Sequence, residues 1–149
     1  MDGIKVVYIG SDHAGFSVKD EVKAVLEEHG CKVTDLGCFS EDPCDYPDIS
    51  REVSEKVMEN GQDSIGLLIC GSGVGVCIAA NKYKGIRAVN ANTPALAETA
   101  RQHNNANVLC LGARLMEGED IKKTIMAFMN TEFPGVERHE RRVQKLNDM

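Results

Sequence analysis

Five short strand-like runs recur along the chain, and nearly every one is followed by a stretch whose apolar residues repeat at helical spacing. The runs are Ile4 to Ile9, Cys31 to Leu36, Ile65 to Cys70, Ile86 to Asn90 and Val108 to Leu111. Each is too short for a stable helix, rich in branched residues and bounded by turn formers, which predicts strands. Between them, Ser17 caps a predicted helix carrying Val18, Val22, Val25 and Leu26 and ending at Gly30. A loop from Gly37 to Asp48 holds two prolines, and Asp48 then caps a helix with Ile49, Val53 and Val57 that closes at Gly61. Helical segments are also predicted for Val76 to Ala80, for Thr93 or Pro94 to Asn104, around Ile121, Ile125, Phe128 and Met129, and for Arg138 to Leu146. Strands alternating with helices in this way predict an α/β fold, a three-layer αβα sandwich with a five-stranded parallel sheet, Rossmann-like, in one domain spanning residues 1–149.

Composition narrows the function. A net charge of -6 disfavours a phosphate backbone as partner, so no nucleic acid is expected. No apolar stretch approaches the roughly 18 residues a membrane span needs, and the start lacks a signal pattern, so a cytoplasmic protein with no membrane partner is expected. The six cysteines form no Cys-x-x-Cys pair and no histidine cluster accompanies them, so no metal is expected. In a reducing compartment all six are expected to be free thiols.

In a parallel sheet, ligands sit beyond the carboxyl ends of the strands. There the chain places Asp12-His13, the turn Cys70-Gly71-Ser72-Gly73-Val74-Gly75, Asn90 to Asn92, and Gly112 to Arg114. Three alternate glycines let the backbone approach a ligand and converge N–H groups on an anion. A thiol at the following helix start feels the positive end of the dipole, which favours thiolate and suits Cys70 to act as nucleophile or base. The same pattern also fits a last buried strand residue whose glycines only permit tight packing.

Three better-known loops are separated from this one by spacing. A phosphate loop would end in Gly-Lys-Ser/Thr, and a dinucleotide turn would want an acidic residue where the next strand has Asn90. A thiol phosphatase would close its loop with arginine, whereas this one runs into Val76 and Cys77. Asp12-His13 can shuttle protons or hold a phosphate, and equally can be a cap and a surface residue. His103 taken alone is a surface histidine. Arg138 and Arg142, at i, i+4 in the one dense basic patch, can share a phosphate or form a solvated helix end.

Taken together, these residues resemble the ribose-5-phosphate isomerase B family. The likeness rests on Gly10-Ser11-Asp12-His13, Asp45-Tyr46-Pro47, Ile69 to Gly75 continuing to Ile78-Ala79-Ala80-Asn81-Lys82, Gly85-Ile86-Arg87-Ala88, Arg101-Gln102-His103-Asn104, Asn107-Val108-Leu109, and Arg138-His139 with Arg142-Val143. It implies a cofactor-free aldose-ketose isomerase acting on a small phosphorylated sugar, ribose 5-phosphate to ribulose 5-phosphate. It also implies a homodimer, or a dimer of two such dimers, in which the partner completes each pocket and a C-terminal helix of about 138–148 contributes.

By the same resemblance, Cys70 is the base that moves a proton between C2 and C1, and the amides of Gly71, Ser72, Gly73, Val74 and Gly75 hold the enediolate oxygen. Asp12 and His103 assist ring opening, with His103 as proton donor. His13, Arg138 and Arg142 hold the phosphate, while Asn104 and Arg114 contact the substrate. Ser72 stands where many relatives have threonine and keeps the hydroxyl. The segment Asn90 to Ala95 lacks the cysteine and the aromatic some relatives carry, which leaves allose 6-phosphate, galactose 6-phosphate or a tetrose phosphate as alternative substrates. A non-catalytic sugar-phosphate-binding module is the remaining alternative.

Overall fold

The computed structural model describes residues 3–4 and 6–149. Among the described residues, one sheet has five parallel strands, β1 (Val6–Ser11), β2 (Lys32–Asp35), β3 (Ser64–Cys70), β4 (Ala88–Asn90) and β5 (Val108–Gly112), in the order β2-β1-β3-β5-β4. Val7 pairs with Val33 on one side and Ile65 on the other, and Leu109 pairs with Leu67 and Val89. The chain leaves β1 toward β2 and returns on β1's other side as β3. The carboxyl ends of β1 and β3 therefore flank a switch point, where the diverging connections leave a crevice.

The helices are α1 (Phe16–Glu28), α2 (Tyr46–Asn60), α3 (Val74–Ala80), α4 (Pro94–Asn104), α5 (Gly118–Asn130) and α6 (Glu137–Asn147). Alternation along β3 divides the core. Ile65, Leu67 and Ile69 face a layer with Val22 and Leu26 of α1, Ala97 of α4 and Phe128 of α5. Leu68 and Cys70 face the opposite layer, with Val53 and Val57 of α2 and Val76 of α3. Every residue of β3 is buried, as a central parallel strand covered on both faces requires. Among the described residues, no helix is long and apolar enough to cross a membrane.

Several boundaries differ from the sequence expectation. Lys5, inside the first predicted strand, lies outside the described residues, and the strand begins at Val6. Helix α1 begins at Phe16, ahead of the predicted Ser17 cap, because Asp12 Oδ1 accepts the Ala14 and Gly15 amides at 2.9 and 3.1 Å. Helix α2 begins at Tyr46 with Pro47 in its first turn, so Asp45 precedes the helix and Asp48 lies inside it. The fourth strand starts at Ala88, since the Arg87 amide is taken by Asn107 Oδ1 at 2.7 Å. Thr93 caps α4 as expected, accepting the Leu96 amide at 3.2 Å.

The cysteine expectation needs correction at two positions. Cys38 and Cys44 form a disulfide across the loop before α2, whereas Cys31, Cys70, Cys77 and Cys110 are free. The loop folds back between its ends and brings their Cα atoms to 6.8 Å, a local geometry that compartment arguments do not see.

Candidate active site

Cys70 ends β3 with its thiol buried, and the Gly73 N–H donates to its Sγ at 3.1 Å. Three carbonyls of the turn are tied from behind. The Ala113 amide donates to the Cys70 carbonyl at 2.8 Å, the Arg114 amide to Gly71 at 3.0 Å, and Asn90 Nδ2 to Ser72 at 3.4 Å. Because a trans peptide points its C=O and N–H in opposite directions, tying the carbonyls back turns the following amides away from the β5 side. Gly73 has φ +81°, a left-handed conformation that glycine adopts without steric cost. At Gly75 an added Cβ would lie 2.9 Å from Cζ of Tyr46, so the start of α3 needs a bare backbone to seat that ring. With only seven residues, α3 brings a short dipole, and the turn amides are the main polar feature around the thiol.

Asp12 sits beside this turn, 8% exposed, its own amide donating to the Ile69 carbonyl at 3.1 Å. Its Oδ1 is engaged with the Ala14 and Gly15 amides. His13 is half-buried, and its Nδ1 accepts the Cys44 amide at 3.4 Å, which leaves the other ring nitrogen for a ligand. Arg114 folds over the turn, with its side chain 3.3 Å from where a Gly71 Cβ would lie. Behind the turn, burial pushes the Cys110 thiol well up, and the bond to Cys77 adds to this. Cys77 is lowered by the Cys110 hydrogen bond and the Asn90 amide, against its burial.

The other predicted residues lie elsewhere. His103 and Asn104 end α4, whose 11 residues run about 16 Å from the carboxyl edge of the sheet back toward the amino edge. Arg87, just before β4, confirms the placement by donating through Nε to the Asn104 and Asn105 carbonyls at 3.1 and 3.0 Å. His103 stacks on His139 of α6, ring centroids 4.5 Å apart and planes within 10°. Burial first, then the charges of Arg138, His103 and Arg142, hold His139 below the ordinary histidine value. Within one chain, Asp12, His13, Cys70 to Gly75 and Arg114 thus form one group at the carboxyl edge. His103, Asn104, Arg138 and Arg142 form a second group at the amino edge, next to a groove of about 670 Å³ lined in part by Gly85, Arg87, Asn104 and Leu146. Among the described residues, no three His, Cys, Asp or Glu side chains converge as metal ligands.

The ribose/galactose isomerase family model matches residues 7–146. The chain belongs to this family. Ribose-5-phosphate isomerase B of Escherichia coli is 41% identical over 143 residues, covering 96% of this chain and 95% of that one. The solved structure of a ribose 5-phosphate isomerase from Thermotoga maritima superposes with a TM-score of 0.92 at 43% identity, covering 97% and 99% of the two chains. That of ribose-5-phosphate isomerase B from Mycoplasma genitalium, with bound ribulose-5-phosphate, gives 0.91 at 40% identity, covering 96% and 94%. The expected fold class and family are both borne out.

Sequence reasoning gave no role to two side chains that shape the carboxyl-edge crevice. Tyr46, 41% exposed, covers the turn through Gly75. Lys19, 1% exposed, pairs with Asp35 at 3.0 Å, donates to the Cys38 carbonyl and lies over the rings of Phe16 and Phe39. It holds the loop whose Gly37 and Cys38 bond both backbone groups of Ser11, the residue before Asp12. Burial raises Asp35, but the Gly37 amide, Lys19 and Lys23 outweigh it and hold the carboxyl below the usual range. A lysine in register with Val22 and Leu26 on the apolar face of α1 was the available signal.

Proposed function

We propose that the chain interconverts ribose 5-phosphate and ribulose 5-phosphate, with Cys70 as the base, in a homodimer whose two pockets each combine both chains. The observation that carries this is the Cys70 sulfur bonded to a turn amide at the switch point, where the Asp12 backbone amide is joined to Ile69, the residue before Cys70. Asp12 accepts the hydroxyl proton as the sugar ring opens, and His103 of the second copy donates to the ring oxygen. Cys70 thiolate then removes the C2 proton, the electrons move onto the carbonyl oxygen, and the turn amides hold the negative oxygen of the enediolate. The hydroxyl proton passes from O2 to O1, and return of the proton from the thiol to C1 as the C2 carbonyl forms completes the ketose, with no net redox change. His13 from one chain and Arg138 and Arg142 from the other hold the phosphate, Asn104 of the second copy and Arg114 hold the hydroxyls, and His139 fixes the plane of His103.

A single chain separates its two groups by the depth of the sheet, so a second copy is the simplest source of the missing half. Subunit mixing tests this. Cys70→Ser and His103→Ala proteins should each be nearly inactive alone and, after co-refolding, regain up to about a quarter of wild-type activity. That fraction follows from random pairing, since half the dimers are mixed and one of their two pockets is intact. No recovery in verified mixed dimers overturns the shared pocket, and full activity in Cys70→Ser overturns the base.

A further inference from the structure

We infer that Asn90 is a positioning residue for the chemistry of Cys70, its side-chain amide fixing the peptide whose N–H bonds the sulfur. The inference rests on the reading of Cys70 as base. Ser72 C=O and Gly73 N–H belong to one peptide plane. Asn90 Nδ2 donates to the oxygen at 3.4 Å, and the N–H at the other end donates to Cys70 Sγ at 3.1 Å. Rotating that plane in either direction breaks both bonds together, so the amide at the end of β4 sets the aim of the donor at the end of β3. Bonds in series through one peptide also polarise each other, so that Asn90 strengthens the donation to sulfur.

Of the three ties on the turn's carbonyls, those from Ala113 and Arg114 are backbone amides, which any non-proline residue supplies. The tie from Asn90 is the one that a change of side chain removes. The amide orientation is fixed by its neighbour, since turning it over would set Oδ1 against the Ser72 carbonyl. Oδ1 lies instead 2.5 Å from the position of a Gly73 Cβ, buried and without a partner among the described residues. Gly73 and Asn90 are thereby matched, because only a bare Cα lets the side chain reach under the turn. The titratable and charged groups on the segments that meet at the turn are Asp12 and His13 after β1, Cys77 of α3, Cys110 of β5 and Arg114. A neutral substitution at position 90 alters none of them, and the Asn90 backbone amide that faces Cys77 remains.

The test uses the full-length protein carrying Asn90→Leu, which keeps the shape and loses the donor, and Asn90→Asp, which keeps the size and loses it too. Steady-state turnover of ribose 5-phosphate is measured alongside iodoacetamide alkylation of Cys70, quantified by peptide mass spectrometry with Cys77 as internal reference. In Asn90→Leu, kcat and the neutral-pH alkylation rate of Cys70 should each fall about fivefold, while KM and Cys77 labelling stay level. Asn90→Asp, which adds a negative charge behind the turn, should fall further. Unchanged Cys70 alkylation in a folded Asn90→Leu protein, or a rise in KM with kcat unchanged, overturns the inference. If Asn90→Leu does not fold, the same two readouts on Asn90→Asp decide. An inactive Cys70→Ser beside an unaffected Asn90→Leu sinks this inference alone, whereas an active Cys70→Ser sinks the base reading and leaves the alkylation result to stand.

Discussion

Gly73 and Gly30 share a positive φ, +81° and +82°, in very different surroundings, and the pair isolates what the turn contributes to turnover. Alanine at either position meets the left-handed penalty, about 1 kcal/mol, which for a chain of this size lowers Tm by roughly 3 °C. At Gly30 nothing lies within 4 Å of the new Cβ, so the penalty ends there. At Gly73 the Cβ would lie 2.5 Å from Asn90 Oδ1 and 2.9 Å from the Leu111 carbonyl carbon. The second contact is backbone of a central strand and does not yield, so the turn itself must move by nearly 1 Å, and a misplacement of that size costs about 100-fold in rate. Gly73→Ala should therefore show a kcat about 100-fold below wild type, while Gly30→Ala keeps full activity with the same loss of Tm or less. Differential scanning fluorimetry and a coupled ketose assay on the three proteins provide the comparison. Near wild-type turnover in Gly73→Ala, with Gly30→Ala melting as stated, refutes the reasoning.

Other outcomes follow from the buried charge on α1. Lys19→Met should destabilise the protein by about 2 kcal/mol in urea titrations, because the Cys38 carbonyl loses its donor and Asp35 keeps only Lys23 and the Gly37 amide. An unchanged urea midpoint would show that Lys19 adds nothing to stability. Asp35 is held below its unfolded value, so the stability it supplies is present above about pH 4 and disappears as pH falls through the lower folded value. Asp35→Asn should flatten that acid limb in urea midpoints taken between neutral pH and pH 3, and an unaltered limb would assign it to other carboxyls.

The layered architecture was legible because the three inner strands, β1, β3 and β5, carry nearly continuous apolar runs. What was hidden was mostly supplied from a distance. Asp12, not Ser17, orders the start of α1, because the relevant acceptor comes from the turn before the helix. Lys19 lies in register with the apolar face of α1, but its partner Asp35 is sixteen residues on and meets it only in the fold. Cys38 and Cys44 meet only through the shape of their loop. Gly71, Gly73 and Gly75 could be read as a turn with donors, yet the tie from Asn90 depends on β5 being inserted between β3 and β4, an arrangement without a local signature. The separation of Cys70 from His103 was implicit in the βα alternation itself, since a residue ending a helix belongs to the opposite edge from one ending a strand.

The backbone ties from the stretch after β5 to the carbonyls of Cys70 and Gly71 also bear on when the work of catalysis is done. Water around a developing negative charge must reorient, whereas peptide dipoles anchored at their far ends are already aimed. The ordering that a solvent would undergo at every turnover is here completed once, as the chain folds. In the proposed mechanism Ala113 contributes to rate from behind the turn, through the N–H it lends to Cys70.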